Sequence, residues 1–198
     1  VVCTFDSGKC AMPAVISLVK PGYVATGKLC ENADGSGKCY DANENVAVNI
    51  SNNATDTTLY VIWEPGVFKI TLMTPDASRN DIQAPVYLKY TVGWYSDANA
   101  ENVLINMDET RLPERDGYVF DGYRMADGIK IISSAGVMQT TQAELTSVTA
   151  DSAATVMWQP GKTVCPAGYY YPGQGGICNV CGENHWCPGG TFDTDTKI

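Results

Sequence analysis

The sequence predicts a mainly β chain with minor α content, built in three parts. Three observations lead there. Runs rich in β-branched and aromatic residues end abruptly at Pro-Gly. A pattern recurs at a fixed offset of 95 residues. The eight cysteines fall into two groups of four, separated by a long cysteine-free stretch.

Composition sets the outer bounds. Hydrophobic residues make up 44% of the 198, enough for a packed core and too many for global disorder. Charged residues are only 18%, while Gly, Ser, Thr, Asn and Asp are plentiful, a balance common among secreted β-rich proteins. Acidic residues outnumber basic ones by 22 to 13, and with a net charge of −9 and no Lys/Arg cluster, nucleic acid is not an expected partner. No apolar run is long enough to span a membrane. The opening Val1-Val2-Cys3-Thr4-Phe5 reads as a strand already under way, and the closing TFDTDTKI completes nothing, so a piece of a longer, processed chain is expected.

The first part, residues 1–66, carries Cys3, Cys10, Cys30 and Cys39. Asp6-Ser7-Gly8 is a turn signal between the first two cysteines, and Asp34-Gly35-Ser36-Gly37 is a hairpin tip between the second two. A cysteine on each arm of a hairpin can face its partner, which favours the pairs 3–10 and 30–39, each stabilising by about 2.5–3 kcal/mol on chain-entropy grounds. Four cysteines allow three connectivities, and one zinc ion held by all four is the rival arrangement. The run TLYVIW (58–63) is a strand by composition, and Pro65-Gly66 ends it because proline lacks the donor a continuing ladder needs. Asp41-Ala42-Asn43-Glu44-Asn45 alternates oxygen side chains as a calcium loop does, but it has Val46 and Asn52 where Gly and Glu are required, so it reads as a polar loop.

The second part, residues 67–161, has no cysteine. PGYVATGK (21–28) matches DGYVFDGY (116–123), and VIWEPG (61–66) matches VMWQPG (156–161). Gly22/Gly117, Tyr23/Tyr118, Val24/Val119, Gly27/Gly122, Asp56/Asp151, Val61/Val156, Trp63/Trp158, Pro65/Pro160 and Gly66/Gly161 are identical in one ungapped register. Shared composition of two β-rich stretches is the competing explanation, and the clustering of matches at the two ends speaks against it. The glycines suit strand ends that need positive-φ backbone, and the tryptophan is a large anchor where its strand ends.

These residues resemble the Listeria–Bacteroides repeat, also called the internalin B-type repeat, with its G-Y-x-F-x-G strand, variable stretch and A-D-T-T-L-Y-A-x-W close. Residues 55–63 fit that close, and residues 88–123 look like a longer bacterial variant. Ala153-Ala154-Thr155 departs from the pattern where Thr-Leu-Tyr is expected, which predicts looser packing there. The resemblance implies two tandem β-grasp-like modules, 1–66 and 67–161, of the kind chained on bacterial surface proteins as spacers or adhesive segments. It carries no catalytic residues over.

The third part, residues 162–198, follows a Pro-Gly-led linker at 160–163 and spaces Cys165, Cys178, Cys181 and Cys187 as C-x12-C-x2-C-x5-C. Zinc ribbons usually pair two short spacings, and redox C-x-x-C motifs open a helix, whereas this one lies among Pro and Gly. The stretch CPAGYYYPGQGGICNVCGENHWCPGG resembles small secreted modules of the tumour necrosis factor receptor and EGF-like kind. That resemblance implies disulfides 165–178 and 181–187, and an oxidising compartment.

Tyr87, Tyr90, Trp94 and Tyr95 form the best candidate for ligand-binding aromatics, because aromatic faces stack on sugar rings; core packing is the competing role. Tyr169-Tyr170-Tyr171 is a second such cluster. His185, the single histidine, reads as a surface residue beside Trp186. Asp108/Glu109, Glu114/Asp116 and Asp121 are carboxylates that sequence cannot place across a cleft. Two sequons, Asn49-Ile50-Ser51 and Asn53-Ala54-Thr55, matter only in a eukaryotic secretory route.

The expected function is therefore a non-catalytic extracellular segment of a bacterial surface or secreted repeat protein, a spacer or adhesive module meeting a protein or glycan on a cell surface. No enzyme activity, cofactor or metal is expected. The alternative is a carbohydrate-binding accessory module of a secreted enzyme.

Overall fold

The structure, a computed structural model, describes residues 9–11, 18–42, 45–47, 58–78, 83–108, 112–172 and 177–193. The protein is mainly β: the described residues hold fifteen strands and one four-residue helix. The chain divides into two compact units, Val1–Gly66 and Val67–Ile198. Among the described residues no helix is long and apolar enough to cross a membrane.

In the first unit, β1 (Lys9–Ala11) pairs with β4 (Asn45–Ala47), and β2 (Tyr23–Cys30) is the middle strand between β3 (Cys39–Asp41) and β5 (Tyr60–Pro65), all antiparallel. Leu29 and Tyr40 face each other across β2 and β3 and are buried, with Ala25, Leu59 and Val61 packed around them. This cluster is small, and a disulfide reinforces it. Cys30 is directly opposite Cys39 and bonded to it, with Cα atoms 4.1 Å apart, so the bridge closes the mouth of the 31–38 loop. At the tip, Asp34 accepts the Ser36 hydroxyl and backbone N–H, the local turn that aspartate makes before glycine. The expected 3–10 pair involves Cys3, which lies outside the described residues.

The second unit is built on a six-stranded sheet. Its strands are β6 (Val67–Met73), β7 (Val86–Lys89), β8 (Gly93–Tyr95), β9 (Tyr118–Met125), β10 (Lys130–Ile132) and β11 (Ser152–Pro160). They lie in the order β10-β9-β11-β6-β7-β8. Only β11 and β6 run parallel; every other neighbouring pair is antiparallel. The first and last strands thus lie side by side in the middle, and each carries a hairpin outward.

Alternation puts one side of each strand into the core. Ile70 and Leu72 of β6, Val86 and Leu88 of β7, Trp94 of β8, Phe120, Tyr123 and Met125 of β9, and Ala154 and Val156 of β11 are buried together. Ile131, Ile132, Met138 and Val148 join them from β10 and the chain after it, which contains the short helix α1 (Gln142–Leu145). The looser packing expected at Ala153-Ala154-Thr155 meets a simple geometry. Ala154 has no exposed surface and sits directly between Leu72 of β6 and Met125 of β9, so its neighbours occupy the room that a larger side chain would need.

Three-strand sets recur 95 residues apart. Tyr23 faces Pro65 and Ala25 faces Trp63; likewise Tyr118 faces Pro160 and Phe120 faces Trp158. Gly66 donates its N–H to the Gly22 carbonyl at 2.9 Å, and Gly161 donates to Gly117 at 2.9 Å. Lys20 stands over the Tyr23 ring at 4.0 Å, and Arg115 over the Tyr118 ring at 3.9 Å. Each pairing then slips register opposite a positive-φ glycine, Gly27 (80°) or Gly122 (94°). At Gly122 a second constraint applies, because a Cβ there would run into the Ile132 carbonyl of β10.

Beyond β11 the unit continues through four short strands. β12 (Lys162–Cys165) pairs with β15 (Gly190–Asp193), and β13 (Tyr169–Tyr170) with β14 (Asn179–Val180). Disulfides join Cys165 to Cys178 and Cys181 to Cys187. Tyr171 is fully buried and stacks on Phe192, with ring centroids 5.9 Å apart.

Candidate functional site

The aromatic set expected as a binding surface is split by the pleat of the sheet. In β7, Val86 and Leu88 point inward, so Tyr87 points outward. Leu88 pairs with Trp94, which carries Trp94 inward with it, and Tyr87 pairs with Tyr95 on the outer side. Trp94 is 1% exposed and donates its indole N–H to the Gln139 carbonyl at 2.6 Å. It therefore leaves the ligand-binding set: its ring is core, and its one polar atom is already used. Tyr90, in the turn between β7 and β8, is half-buried.

What remains is a row across three strands. Lys69 of β6 pairs with Tyr87, and Tyr87 with Tyr95. Both tyrosines are half-buried and Lys69 is exposed, so two aromatic side chains and one cation stand in register on the outer face. Two carboxylates brace the flanks. Asp151 accepts the Lys69 backbone N–H at 2.9 Å. Asp97, just after β8, accepts backbone N–H groups from Asn99, Glu101 and Asn102 at 2.9, 3.3 and 2.8 Å and closes the loop beside Tyr95. The Asn102 backbone bond is the main reason that the Asp97 carboxyl lies below the ordinary range. Such a row can stack on a planar or ring-shaped ligand and donate to it; it holds no nucleophile–base pair.

The remaining candidates fall into place individually. Asp121 binds Lys130 at 2.9 Å on the outer side of β9 and β10, and this hydrogen bond holds its carboxyl below the usual value. Asp108 borders a shallow cleft of about 180 Å³ with Gln83, Pro85, Leu104 and Met107, smaller than the ~300–1,000 Å³ of small-molecule sites. Glu109 lies outside the described residues, as do both sequons. Asp41, at the head of the loop compared with calcium sites, is paired with Lys28 at 3.0 Å. His185 is exposed, with its Nδ1 3.1 Å from the Glu183 carbonyl. Among the described residues no group of three or more His, Cys, Asp or Glu is arranged to hold a metal.

Sequence reasoning missed Lys69 as the neighbour of Tyr87, since only strand register reveals it. It also undervalued Trp186, which is 86% exposed in the loop closed by Cys181–Cys187.

No protein-family model matches this chain, and comparison with curated proteins and with solved structures found no relative. The three disulfides among the described residues fit an oxidising, extracellular or secreted setting.

Proposed function

We propose that the chain is a non-catalytic extracellular segment of a bacterial surface or secreted repeat protein, serving as a spacer or adhesive module. The observation that carries this reading is the paired glycine bond, Gly66 to Gly22 and Gly161 to Gly117, set in matching strand registers 95 residues apart. Two stretches that share sequence, pairing and backbone sign at the same offset read as a duplicated module. A module whose repetition preserves turns and strand ends, with six of its nine identities on glycine, proline and aromatic residues, is selected for architecture.

The topology of the second copy supports its β-grasp reading. In residues 67–161 the first and last strands are parallel at the centre, each with antiparallel strands outward, a strand order that β-grasp sheets share. The two disulfides between Cys165 and Cys187 support the reading of residues 162–198 as a small secreted module.

Cell-surface retention tests the adhesive role. Native chain should stay on cells through washing, whereas reduced, alkylated and heated chain should not. Equal retention of both forms would remove the folded surface from the explanation. The second reading, a carbohydrate-binding accessory module, rests on Tyr87 and Tyr95 standing side by side on the outer face. It requires that Tyr87→Ala and Tyr95→Ala abolish retention on a glycan matrix while the fold persists.

A further inference from the structure

The two recurring three-strand sets differ in what lies beside their third strand. β11 has a partner on each side: β9 antiparallel and β6 parallel. Its counterpart β5 pairs only with β2 among the described residues and stands at the end of its sheet.

The backbone of β5 is oriented to take a second partner. The Ile62 carbonyl accepts the Thr26 hydroxyl at 3.1 Å, and the Gly66 N–H reaches the Gly22 carbonyl, so even-numbered positions turn toward β2. By strand alternation, Val61 and Trp63 turn their N–H and C=O groups the other way. A strand edge of this kind is a template for pairing unless proline, charge or a bulge blunts it. Pro65 sits at its far end, and Glu64 is its single charged residue. The opposite end, Thr58–Tyr60, corresponds to Ala153–Thr155, the residues that pair with Thr71–Met73 of β6.

We propose that the outer edge at the start of β5, from Thr58 to Val61, is a strand-docking site, and that its occupant is an extended segment of the β6 kind, supplied by a partner polypeptide and running parallel to β5. The chemistry of the occupant follows from what β6 offers β11. It needs alternating apolar residues like Ile70 and Leu72 on one face, small or flexible polar residues like Lys69 and Thr71 on the other, and no proline within the paired stretch. A second intact copy of this chain is a poor donor, since its own β6 is engaged on both sides, by β11 and β7. This inference concerns strand pairing and stands whether or not the surface-protein reading holds.

The test uses the full chain and a synthetic peptide spanning residues 66–96, which carries β6, β7 and β8. Amide hydrogen exchange is followed at Leu59 and Val61, the outward-turned positions that correspond to Ala154 and Val156 at the β6-paired end of β11, with a scrambled peptide as control. The expected result is a saturable slowing of exchange at both amides by at least ~10-fold with the native peptide only. Three results would overturn the proposal: no slowing at saturating peptide, amides already protected in the free chain, or protection that tracks dimerisation by mass without peptide. Slowing confined to β11 amides would mean that the peptide exchanges with β6, and would likewise count against it.

Discussion

The Trp94 indole nitrogen lies 2.6 Å from the Gln139 carbonyl and ties β8 to the chain that follows β10. Both packing and a hydrogen bond depend on this one side chain. Trp94→Ala should cost about 3–5 kcal/mol, the range for deleting a large aromatic from a core. Trp94→Phe should cost less, about 1–3 kcal/mol, largely by leaving the carbonyl without this donor. Exchange of backbone amides in β7 and β9, followed by mass spectrometry, gives both values. An alanine variant with unchanged exchange would return Trp94 to the list of surface residues.

Gly27 and Gly122 form a matched pair for separating two effects of glycine. Both have positive φ, but a Cβ at Gly27 meets nothing within 4 Å, whereas at Gly122 it collides with the Ile132 carbonyl. Gly27→Ala should cost about 1–2 kcal/mol from backbone handedness alone. Gly122→Ala should cost clearly more and loosen the β9–β10 pairing. Chemical denaturation of the two variants side by side decides this; equal losses would mean that β10 yields without penalty.

Acid should weaken the fold in a defined direction. Asp34, Asp97 and Asp121 all have carboxyl pKa values lowered in the folded chain, chiefly by the Ser36 hydroxyl, the Asn102 backbone N–H and the Lys130 ammonium respectively. A group whose folded pKa is depressed gives stability that is fully present above its unfolded value, about 3.9 for aspartate, and lost as pH falls through the folded value. Melting temperature should therefore hold steady from neutrality to about pH 5 and fall below about pH 4. Asp97→Asn should flatten part of that fall, and a profile identical to the parent's would show that the Asp97 loop opens independently.

The Cys30–Cys39 bridge closes a loop between residues nine apart in sequence. Replacing both by serine should lower stability by about 2.5–3 kcal/mol if the chain-entropy account holds. The unsubstituted chain gives the cysteine state directly. Intact mass under non-reducing conditions should lie about 8 Da below the reduced value if all eight cysteines are paired. A smaller difference, with thiols open to alkylation, would mean that the pairing is incomplete.

How legible was this molecule in its residues? Punctuation was the clearest signal. The glycine before Tyr23 and Tyr118 and the Pro-Gly after Trp63 and Trp158 mark strand ends because their backbones permit little else there. The three described disulfides join the cysteines that the hairpins and the secreted-module resemblance had paired. The aromatic cluster was harder. Val86 and Leu88 already alternate inward, but assigning Trp94 to their side requires the β7–β8 register, which the turn at 90–92 sets and no local composition encodes. The parallel contact between β6 and β11 was invisible for a similar reason. It joins residues about 80 positions apart, such as Ile70 and Ser152, and nothing local to either strand names the other.

That parallel contact has a mechanical consequence. Because β6 and β11 point the same way, the start of one and the end of the other lie at opposite ends of the sheet. Tension applied through these two ends loads the ladder between Ser152–Thr155 and Ile70–Met73 in shear, so its rungs resist together, whereas a pulled antiparallel hairpin opens one rung at a time. Forced opening is governed by the unfolding rate, and a shear geometry keeps that rate low under load. Pulled at these two ends, the ladder would resist more than an antiparallel hairpin opened from its end.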